Sequence, residues 1–428
     1  MPIPTSPIPH PTRLLPAVAA LVLALSAALP AALGAQADTT GQRRALDSLA
    51  AVVRTLSARI DSLQRSRAGG DTTVVDELAA LRAAAAAAAR DTSGAVPPPQ
   101  ARRGLNALNP EISATGVVQA HGRRPGPQVD PFAAREFEVA FQSALDPFST
   151  AKVFISMEDG EVSLEEGYAY FTSLPAHLRL DVGQFRQQVG ELNRWHLHAL
   201  PEDEYPLVLR RFAGEEGLAA SGVSLYWPLP FSGSAGTYEL TVQATTGENE
   251  VLFAGGRRPS INAQLSGFWQ FTRSTYAQVS VSGLRGTNAD TSLTTTLGVA
   301  AARVSWRPPQ QAQSRDLTIR GELWALKRRF DLPAPDAFRD TRLGGFVSGT
   351  WRLNRQWIAG VRGDRVQNPE PGPRQHEWAL TPSLTYWQSE FVYLRGLYER
   401  ASDYDKSISN RFSLQVVFAM GPHKHEIF

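Results

Sequence analysis

The residue types that can do chemistry are most concentrated between residues 189 and 218. Acidic and basic side chains are interspersed with apolar ones there, and a His-x-His pair lies within the segment. Opposite charges that face one another create a field that orients polar solutes and sets an ion preference. The charged residues considered for this role are Arg194, Glu202, Asp203, Glu204, Arg210, Arg211, Glu215 and Glu216. The alternative is that these charges only solvate a surface loop.

Two His-x-His pairs are the only candidate metal ligands with a suggestive spacing. His196 and His198 are followed by acidic residues, and His423 and His425 lie near the C-terminus. Imidazole nitrogens and carboxylate oxygens can complete a tetrahedral zinc site. Each pair alone supplies only two imidazoles, however, so we favour ordinary hydrogen-bonding roles and expect no metal and no cofactor.

No pattern of catalytic residues is present in the sequence. There is no G-x-S-x-G elbow, H-E-x-x-H helix, phosphate-binding loop or dinucleotide fingerprint. The absence of cysteine also excludes disulfide frameworks, thiolate zinc sites and cysteine nucleophiles. We therefore expect no catalytic residues and no enzyme.

Composition narrows the class of protein further. The chain has 428 residues, 43% of them apolar, a mean hydropathy of −0.23 and a net charge of +2. A helical membrane protein needs repeated apolar spans of about 20 residues, and only one such run is present. The 19 Phe, 10 Tyr and 9 Trp argue against disorder, and the near-zero charge gives no reason to expect nucleic acid. A transmembrane β-barrel is compatible with these averages because its strands alternate apolar and polar residues.

The first 37 residues have the pattern of a secretory signal peptide. Arg13 supplies the positive charge, residues 14–33 form the apolar region, and Ala35-Gln36-Ala37 is a small-residue cleavage site. The alternative is a retained membrane anchor, which Pro16 and Pro30 disfavour. We expect an exported mature chain that begins at Asp38.

Helical periodicity follows in residues 38–90. Apolar residues recur at spacings of three and four, as in the a and d positions of a short coiled coil. They are Leu46, Leu49, Val53, Leu56, Ile60 and Leu63. About three heptads are marginal alone, so self-association is expected to stabilise them, and an amphipathic helix packed on its own domain is the alternative. Residues 91–109, with Pro97-Pro98-Pro99, predict a semi-rigid linker.

From residue 110 to residue 428 the period changes to two. In the segment before the C-terminus one face carries Phe412, Leu414 and Val416, while the other carries Ser413 and Gln415. Several further segments of about 10 residues show the same alternation between turn residues, which is typical of strands in a membrane barrel. A water-soluble sandwich would need breaks and sheet crossovers, and none are visible.

The turn signals predict about sixteen strands, since about 320 residues divide into units of about 20. Tight turns alternate with longer connections, which puts both termini of the barrel on the short-turn side, and Asp159-Gly160 is an exception, a tight turn where a longer connection would be allowed. The tight turns are Asp146-Pro147-Phe148, Ser173-Leu174-Pro175, Thr272-Arg273-Ser274, Leu353-Asn354-Arg355 and Trp387-Gln388-Ser389. The longer connections are 122–131, 190–217, 247–260, 327–340, 367–375 and 401–409.

The last strand, with Phe412 to Phe418 and the terminal Phe428, resembles that of bacterial outer-membrane porins. Together with the signal peptide, short coiled coil and linker, the chain is similar to the trimeric porin superfamily, especially the branch with phosphate-selective porins. The resemblance implies an outer-membrane barrel with its N-terminal segment in the periplasm. It also implies a homotrimer, and recognition of Phe428 by the barrel-assembly machinery.

In general porins the loop after the fifth strand folds into the barrel, so the resemblance implies a constriction at residues 189–218. The apolar residues of this segment support infolding, because exposing them together would be costly. They are Trp195, Leu197, Leu200, Leu207, Val208, Leu209 and Phe212. We expect the loop to line the pore.

Arginines recur on the strand face opposite the apolar residues. At mid-depth on the lipid face each would cost about 2–4 kcal/mol, so their position predicts a water-filled lumen. They are Arg179, Arg320, Arg342, Arg352, Arg362, Arg395 and Arg411, and the acidic residues of that face include Glu136, Glu138, Asp181, Glu322, Asp364 and Glu399. Guanidinium groups bind phosphate and carboxylate well, so a mild anion preference is expected.

The sequence thus predicts a porin in contact with outer-membrane lipid, which passes small hydrophilic solutes or ions by passive diffusion. The alternative is a structural envelope protein that tethers the outer membrane through its N-terminal helices and has a mostly plugged barrel.

Overall fold

The structure is a computed structural model. The described residues are 110–125, 132–158, 160–231, 236–254, 258–287, 293–329 and 339–421. The expected signal peptide, coiled coil and linker lie outside this part of the chain, as do His423, His425 and Phe428.

Sixteen antiparallel strands close into a single barrel, in which each strand pairs with its neighbours in sequence and β1 pairs with β16. This confirms the antiparallel β-barrel and the strand number that the sequence predicted. The strands are β1 Glu111–Arg124, β2 Phe132–Asp146, β3 Ser149–Glu158, β4 Glu161–Phe171, β5 Arg179–Arg186, β6 Ala219–Pro228, β7 Thr237–Thr245, β8 Ser260–Gln270, β9 Thr275–Thr287, β10 Thr294–Trp306, β11 Asp316–Arg329, β12 Arg339–Arg352, β13 Trp357–Gln367, β14 His376–Trp387, β15 Val392–Ser402 and β16 Ile408–Met420.

The alternation read from the sequence decides which face of each strand looks outward. In β16 the side chains of Phe412 and Leu414 are exposed on the outside, whereas Ser413 and Gln415 are buried inside. Because successive side chains of a strand point to opposite faces, one register places a whole apolar row against lipid. The outer surface is therefore apolar, and most of the inner surface is polar.

Connections alternate in length only in part: two residues join β3 and β4, where a longer connection would be allowed, and residues 307–315 separate β10 and β11 on the short-turn side. Asp146 and Ser149 are separated by two residues, whereas β5 and β6 are separated by residues 187–218. The connection from β4 to β5 is longer than the expected tight turn, since a short 3-10 helix, Pro175–His177, lies in it. Exposed aromatic residues collect at the short-turn end, where they resemble the interfacial girdle of membrane barrels. They are Phe148, Phe171, Phe231, Phe271, Trp306, Trp351, Trp357 and Phe391.

Helices are few and short in the described residues. α1 is Leu207–Ala213 and α2 is Glu250–Phe253, and 3-10 turns occur at Leu192–Arg194 and Leu197–Ala199. None of the helices in these residues is long and apolar enough to cross a membrane.

One part of the inner surface is apolar, which strand parity alone did not predict. Buried apolar side chains from β9 to β14 point inward and form one cluster with residues of the β5–β6 connection. The strand members are Leu284, Leu297, Val299, Trp324, Leu326, Phe346, Val366 and Ala379. The core of the molecule therefore lies inside the barrel, against this connection.

Candidate functional site

The connection between β5 and β6, residues 187–218, lies inside the barrel and is called the inner loop below. Its side chains reach strands on opposite sides of the lumen. Glu191 contacts Arg303 of β10, Arg211 contacts Glu377 of β14, and His196 contacts Glu138 of β2. The inner loop therefore divides the interior instead of projecting from one end.

Asn193 closes the neck of the inner loop. Its side-chain amide donates to the carbonyl oxygens of Gln187 and Leu218 at 2.8 and 3.0 Å, and its Oδ1 accepts from the Leu218 N–H at 2.7 Å. The two ends of the loop also meet directly, because the Gln187 N–H donates to the Leu218 carbonyl at 2.8 Å. Asn193 is fully buried, so these three bonds satisfy most of its polar capacity. The sequence analysis did not single out this residue.

The apolar half of the inner loop is α1. Leu209 and Phe212 are fully buried, in the cluster that includes Phe253 of α2 and Trp324 of β11. Burial of each such side chain stabilises the folded chain by about 1.5–3 kcal/mol. Gly344 allows the close approach, since a Cβ there would lie 2.6 Å from Val208. Packing of this kind holds α1 against the barrel wall.

The acidic tip of the inner loop, Glu202 to Glu204, meets the arginines of β13, β15 and β16. Arg362 Nη1 lies 3.0 Å from Glu202 Oε2 and donates to the Glu204 carbonyl at 2.8 Å. Arg395 Nη1 donates to the Glu202 carbonyl at 2.8 Å. Three of the arginines predicted to line the pore therefore hold the loop, since Arg411 joins them.

Arg411 and Asp203 form the tightest of these contacts. Nη1 and Nη2 of Arg411 lie 2.5 and 3.1 Å from the two carboxylate oxygens of Asp203. Arg411 also lies 3.3 Å from both Glu204 and Glu399. Burial by itself would raise the pKa of Asp203, but the Arg411 guanidinium holds it well below its ordinary value. Asp203 is therefore ionised at neutral pH.

Further polar contacts fasten the rest of the inner loop. Arg210 Nη1 lies 2.9 Å from Glu204 Oε2, and Arg211 makes two bonds to Glu377 at 2.7 and 2.9 Å. Glu322 of β11 accepts hydrogen bonds from the backbone N–H groups of Glu191 and Leu192 at 2.8 and 3.0 Å. Glu215 is exposed and contributes only long contacts to Arg210 and Arg211.

The remaining predicted site residues lie at separate places in the lumen. Arg179 pairs with Asp181 on β5 at 2.7 Å, and Arg194 donates to Gln188 at 2.6 Å. The guanidinium of Arg320 lies over the Trp195 ring at 5.0 Å. Arg342 is buried and donates to the carbonyl oxygens of Glu370 and Gly372 at 3.2 and 2.8 Å. Arg352 pairs with Asp316 at 2.7 Å, and Glu216 is exposed.

Polar spaces lie beside the inner loop in the described part of the structure. One, of about 120 Å³, is bordered by β4 to β7 and includes Arg179, Asp181 and Glu239. Another, of about 30 Å³, lies between the inner loop and β8 to β10, next to Glu191 and Arg194. Both are lined by groups of each charge sign, so a polar solute would meet donors and acceptors in either space.

His196 and His198 face carboxylates of β2 and β4. Burial disfavours a charge on either ring, yet Glu138 and its neighbours raise the pKa of His196 well above its ordinary value. Burial lowers the pKa of His198 to about 4. The centroids of the two rings are 5.9 Å apart.

Comparison with known proteins gives a fold but no family. No family model matches the chain. An uncharacterized protein of Aquifex aeolicus is 33% identical over 160 residues, which are 36% of this chain and 33% of that protein. The chain thus spans about a third of the length of that relative.

Solved structures with a similar fold are outer-membrane proteins. A loop L8 deletion mutant of OmpT from Vibrio cholerae matches with a TM-score of 0.51 at 9% identity, over 73% of this chain and 99% of that one. OprB of Pseudomonas putida matches with a TM-score of 0.50 at 9% identity, over 74% of this chain and 95% of that one. The outer membrane channel DcaP of Acinetobacter baumannii matches with a TM-score of 0.50 at 10% identity, over 73% of this chain and 98% of that one. The fold is that of outer-membrane porin-type β-barrels.

Proposed function

We propose that the protein is an outer-membrane porin through which small hydrophilic solutes or ions diffuse passively. The observation that carries this proposal is a closed barrel with an apolar outer face and polar spaces beside an inner loop. Closure leaves no strand edge with unpaired backbone groups in lipid, which is a condition for spanning a membrane. The inner loop is the constriction in this proposal, and its charged tip sets the local field.

A mild anion preference is the finer part of the proposal. Arg303 and Arg320 lie 2.9 and 3.8 Å from the same carboxylate oxygen of Glu191, so two guanidinium groups share one carboxylate. This leaves positive charge beside the smaller space. The acidic tip does not cancel it, because Glu202 and Asp203 are engaged with Arg362 and Arg411.

The experiment is conductance of the purified full chain in planar bilayers. Stable single-channel steps are expected, with a reversal potential in a KCl gradient that favours chloride slightly. The variant carrying Arg303→Gln and Arg320→Gln should shift this potential toward potassium, whereas Arg273→Gln, in an exposed turn, should leave it unchanged. A strong potassium preference of the unaltered protein would refute the anion preference.

The likeness to the phosphate-selective branch is tested in the same apparatus. Phosphate added at constant chloride should lower the chloride current if a binding site for it lies in the pore. Unchanged current at all phosphate concentrations would remove the protein from that branch while leaving the porin proposal intact.

A second candidate function is a structural barrel that conducts little. The observation that favours it is the apolar cluster inside the barrel, in which α1 packs against β11 to β14. In this case the N-terminal helices would tether the envelope. A barrel that inserts into bilayers but shows no conductance steps would favour this candidate over the porin.

We also propose a homotrimer whose helices in residues 38–90 lie in the periplasm, and assembly that depends on Phe428. OmpT of Vibrio cholerae has been solved in a trimer form, which supports three chains per oligomer. Deletion of residues 38–90 should weaken the oligomer in native electrophoresis if these helices assemble it. An unchanged oligomer would show that the barrel alone associates.

A further inference from the structure

Six ionisable side chains from three parts of the chain meet inside the barrel. They surround the two histidines of the inner loop and are called the His/Glu cluster. The cluster consists of Glu136 and Glu138 of β2, Glu165 and Glu166 of β4, and His196 and His198 of the inner loop. All are buried except Glu165, whose side chain is 13% exposed.

His196 lies between carboxylates of both strands. Its Nδ1 is 2.5 Å from Glu138 Oε2 and 3.0 Å from Glu165 Oε2, and its Nε2 is 3.7 Å from Glu166 Oε2. His198 Nδ1 lies 3.5 Å from Glu136 Oε2, and its Nε2 lies 4.0 Å from Glu138 Oε1. Glu138 therefore touches both imidazoles.

The hydrogen-bond donors near the cluster satisfy its carboxylates unevenly. Arg186 binds Glu165 at 2.7 Å through its guanidinium and Glu166 through its backbone N–H. In the described part of the chain, neither carboxylate oxygen of Glu136 accepts a hydrogen bond, and only 1% of this residue is exposed. A buried carboxylate without donors is costly, and it indicates a group that the protein chain itself does not supply.

The donor set matches a transition-metal dication. Two groups of three residues could each offer three ligand atoms. One group is Glu136, Glu138 and His198, and the other is Glu138, Glu165 and His196. Within each group the ligand atoms lie within 4.8 Å of one another. Ligand atoms about 2.0–2.2 Å from a tetrahedral zinc ion are about 3.3–3.6 Å apart, so small rotamer changes suffice. Imidazole together with carboxylate favours zinc, manganese or iron over calcium and magnesium, which prefer oxygen alone.

We propose that the His/Glu cluster binds one divalent transition-metal ion, of the zinc or manganese type, centred on Glu138. The ion joins the inner loop to β2 and β4. It supplies the partner that the carboxylate oxygens of Glu136 and Glu138 lack and fixes both imidazoles. This goes beyond the porin proposal, because it assigns a ligand to the barrel whether or not solutes pass.

The test uses the full chain in detergent, purified without a polyhistidine tag. The protein is stripped with a chelator, dialysed against zinc chloride or manganese chloride at neutral pH, washed, and analysed for metal by mass spectrometry. We expect about one ion per chain, and a higher thermal unfolding temperature with the metal than without it. Magnesium and calcium chloride should give neither result.

The discriminating variant carries Glu136→Gln and Glu138→Gln, which preserve shape and remove two carboxylates. Its metal affinity should fall by more than about 100-fold. Changing residues that only hydrogen-bond to the ligands already costs up to about 100-fold, and this variant removes two ligands themselves. The matched control carries Glu161→Gln and His177→Gln, both exposed, and should bind as the unaltered chain does. Far-UV circular dichroism and heat-dependent gel mobility establish that each variant is a folded barrel.

Two outcomes would overturn the proposal. One is an unaltered, folded protein that retains no transition metal after washing. The other is metal that the Glu136/Glu138 variant retains in full, which would place it elsewhere, for example at His423 and His425. Bound metal and conductance are separate readouts, so failure of either proposal is distinguishable from failure of the other.

Discussion

Removing Arg411 should destabilise the protein more than neutralising its partner Asp203. Arg411 lies within 3.3 Å of three carboxylates, those of Asp203, Glu204 and Glu399, and is buried. Arg411→Met leaves those carboxylates together without their shared cation. Asp203→Asn leaves the guanidinium with two carboxylates still in contact. The two changes are therefore unequal although they break the same ion pair.

The magnitudes follow from the burial of the pair. Removing one partner of a buried ion pair costs about 3–5 kcal/mol when the other charge stays uncompensated, which applies to Arg411→Met. Loss of one charge-assisted hydrogen bond with compensation remaining costs about 1.5–3 kcal/mol, which applies to Asp203→Asn. In the Arg411→Met background, Asp203→Asn should stabilise the protein, because it removes a buried charge that has lost its cation.

The assay is urea unfolding of the refolded barrel in lipid vesicles, followed by tryptophan fluorescence and gel mobility. All four members of the double-mutant cycle are compared, and the coupling energy between the two sites is expected to exceed the cost of Asp203→Asn alone, about 1.5–3 kcal/mol. The control is Arg374→Met, which breaks an exposed pair with Asp340 and should change stability little. If Asp203→Asn costs the same in both backgrounds, the loop is not held through this pair and the reasoning is wrong.

Three other perturbations test the inner loop and the lipid face by the same unfolding assay. The stability difference between the unaltered protein and Asp203→Asn should stay constant from about pH 7 to 5 and shrink below about pH 4. The reason is that ion pairing outweighs burial and lowers the folded-state pKa of Asp203, so its contribution is lost only as the pH falls through that range; a loss near pH 6 would contradict this. Phe212→Ala should cost about 3–5 kcal/mol by opening a cavity beneath α1, and more than Phe412→Ala on the outer surface, whereas equal costs would argue against a packed inner loop. Val347→Arg, near mid-depth on the outer surface, should cost about 2–4 kcal/mol while Gln388→Arg in an exposed turn costs little, and a harmless Val347→Arg would refute the lipid-facing assignment.

The strand faces were predictable because side-chain direction in a strand depends only on parity. Phe412 and Leu414 were assigned to the apolar face and Ser413 to the other, and the structure places them so. The same rule put Arg362 and Arg411 inside. Parity could not say what these arginines meet there, because their partners Glu202 and Asp203 are more than 150 residues away in sequence.

Local sequence also could not separate the two halves of the inner loop. The apolar residues of α1 indicated burial, but their partners Trp324 and Phe346 lie on strands whose inner face was expected to be charged. Asn193 carried no recognisable signal, since its role depends on the two loop ends meeting.

The sequence by itself determined the class of fold, the approximate number of strands and the outward face of the clearly alternating ones, because these follow from a period of two and from turn residues along the chain. The tertiary structure decided what lies within the barrel. Closure and strand register bring Glu138 of β2 and Glu165 of β4 to His196 of the inner loop, and Asp203 to Arg411. Such groups meet only when the barrel closes around the loop. Residue spacing along the chain therefore cannot predict these contacts.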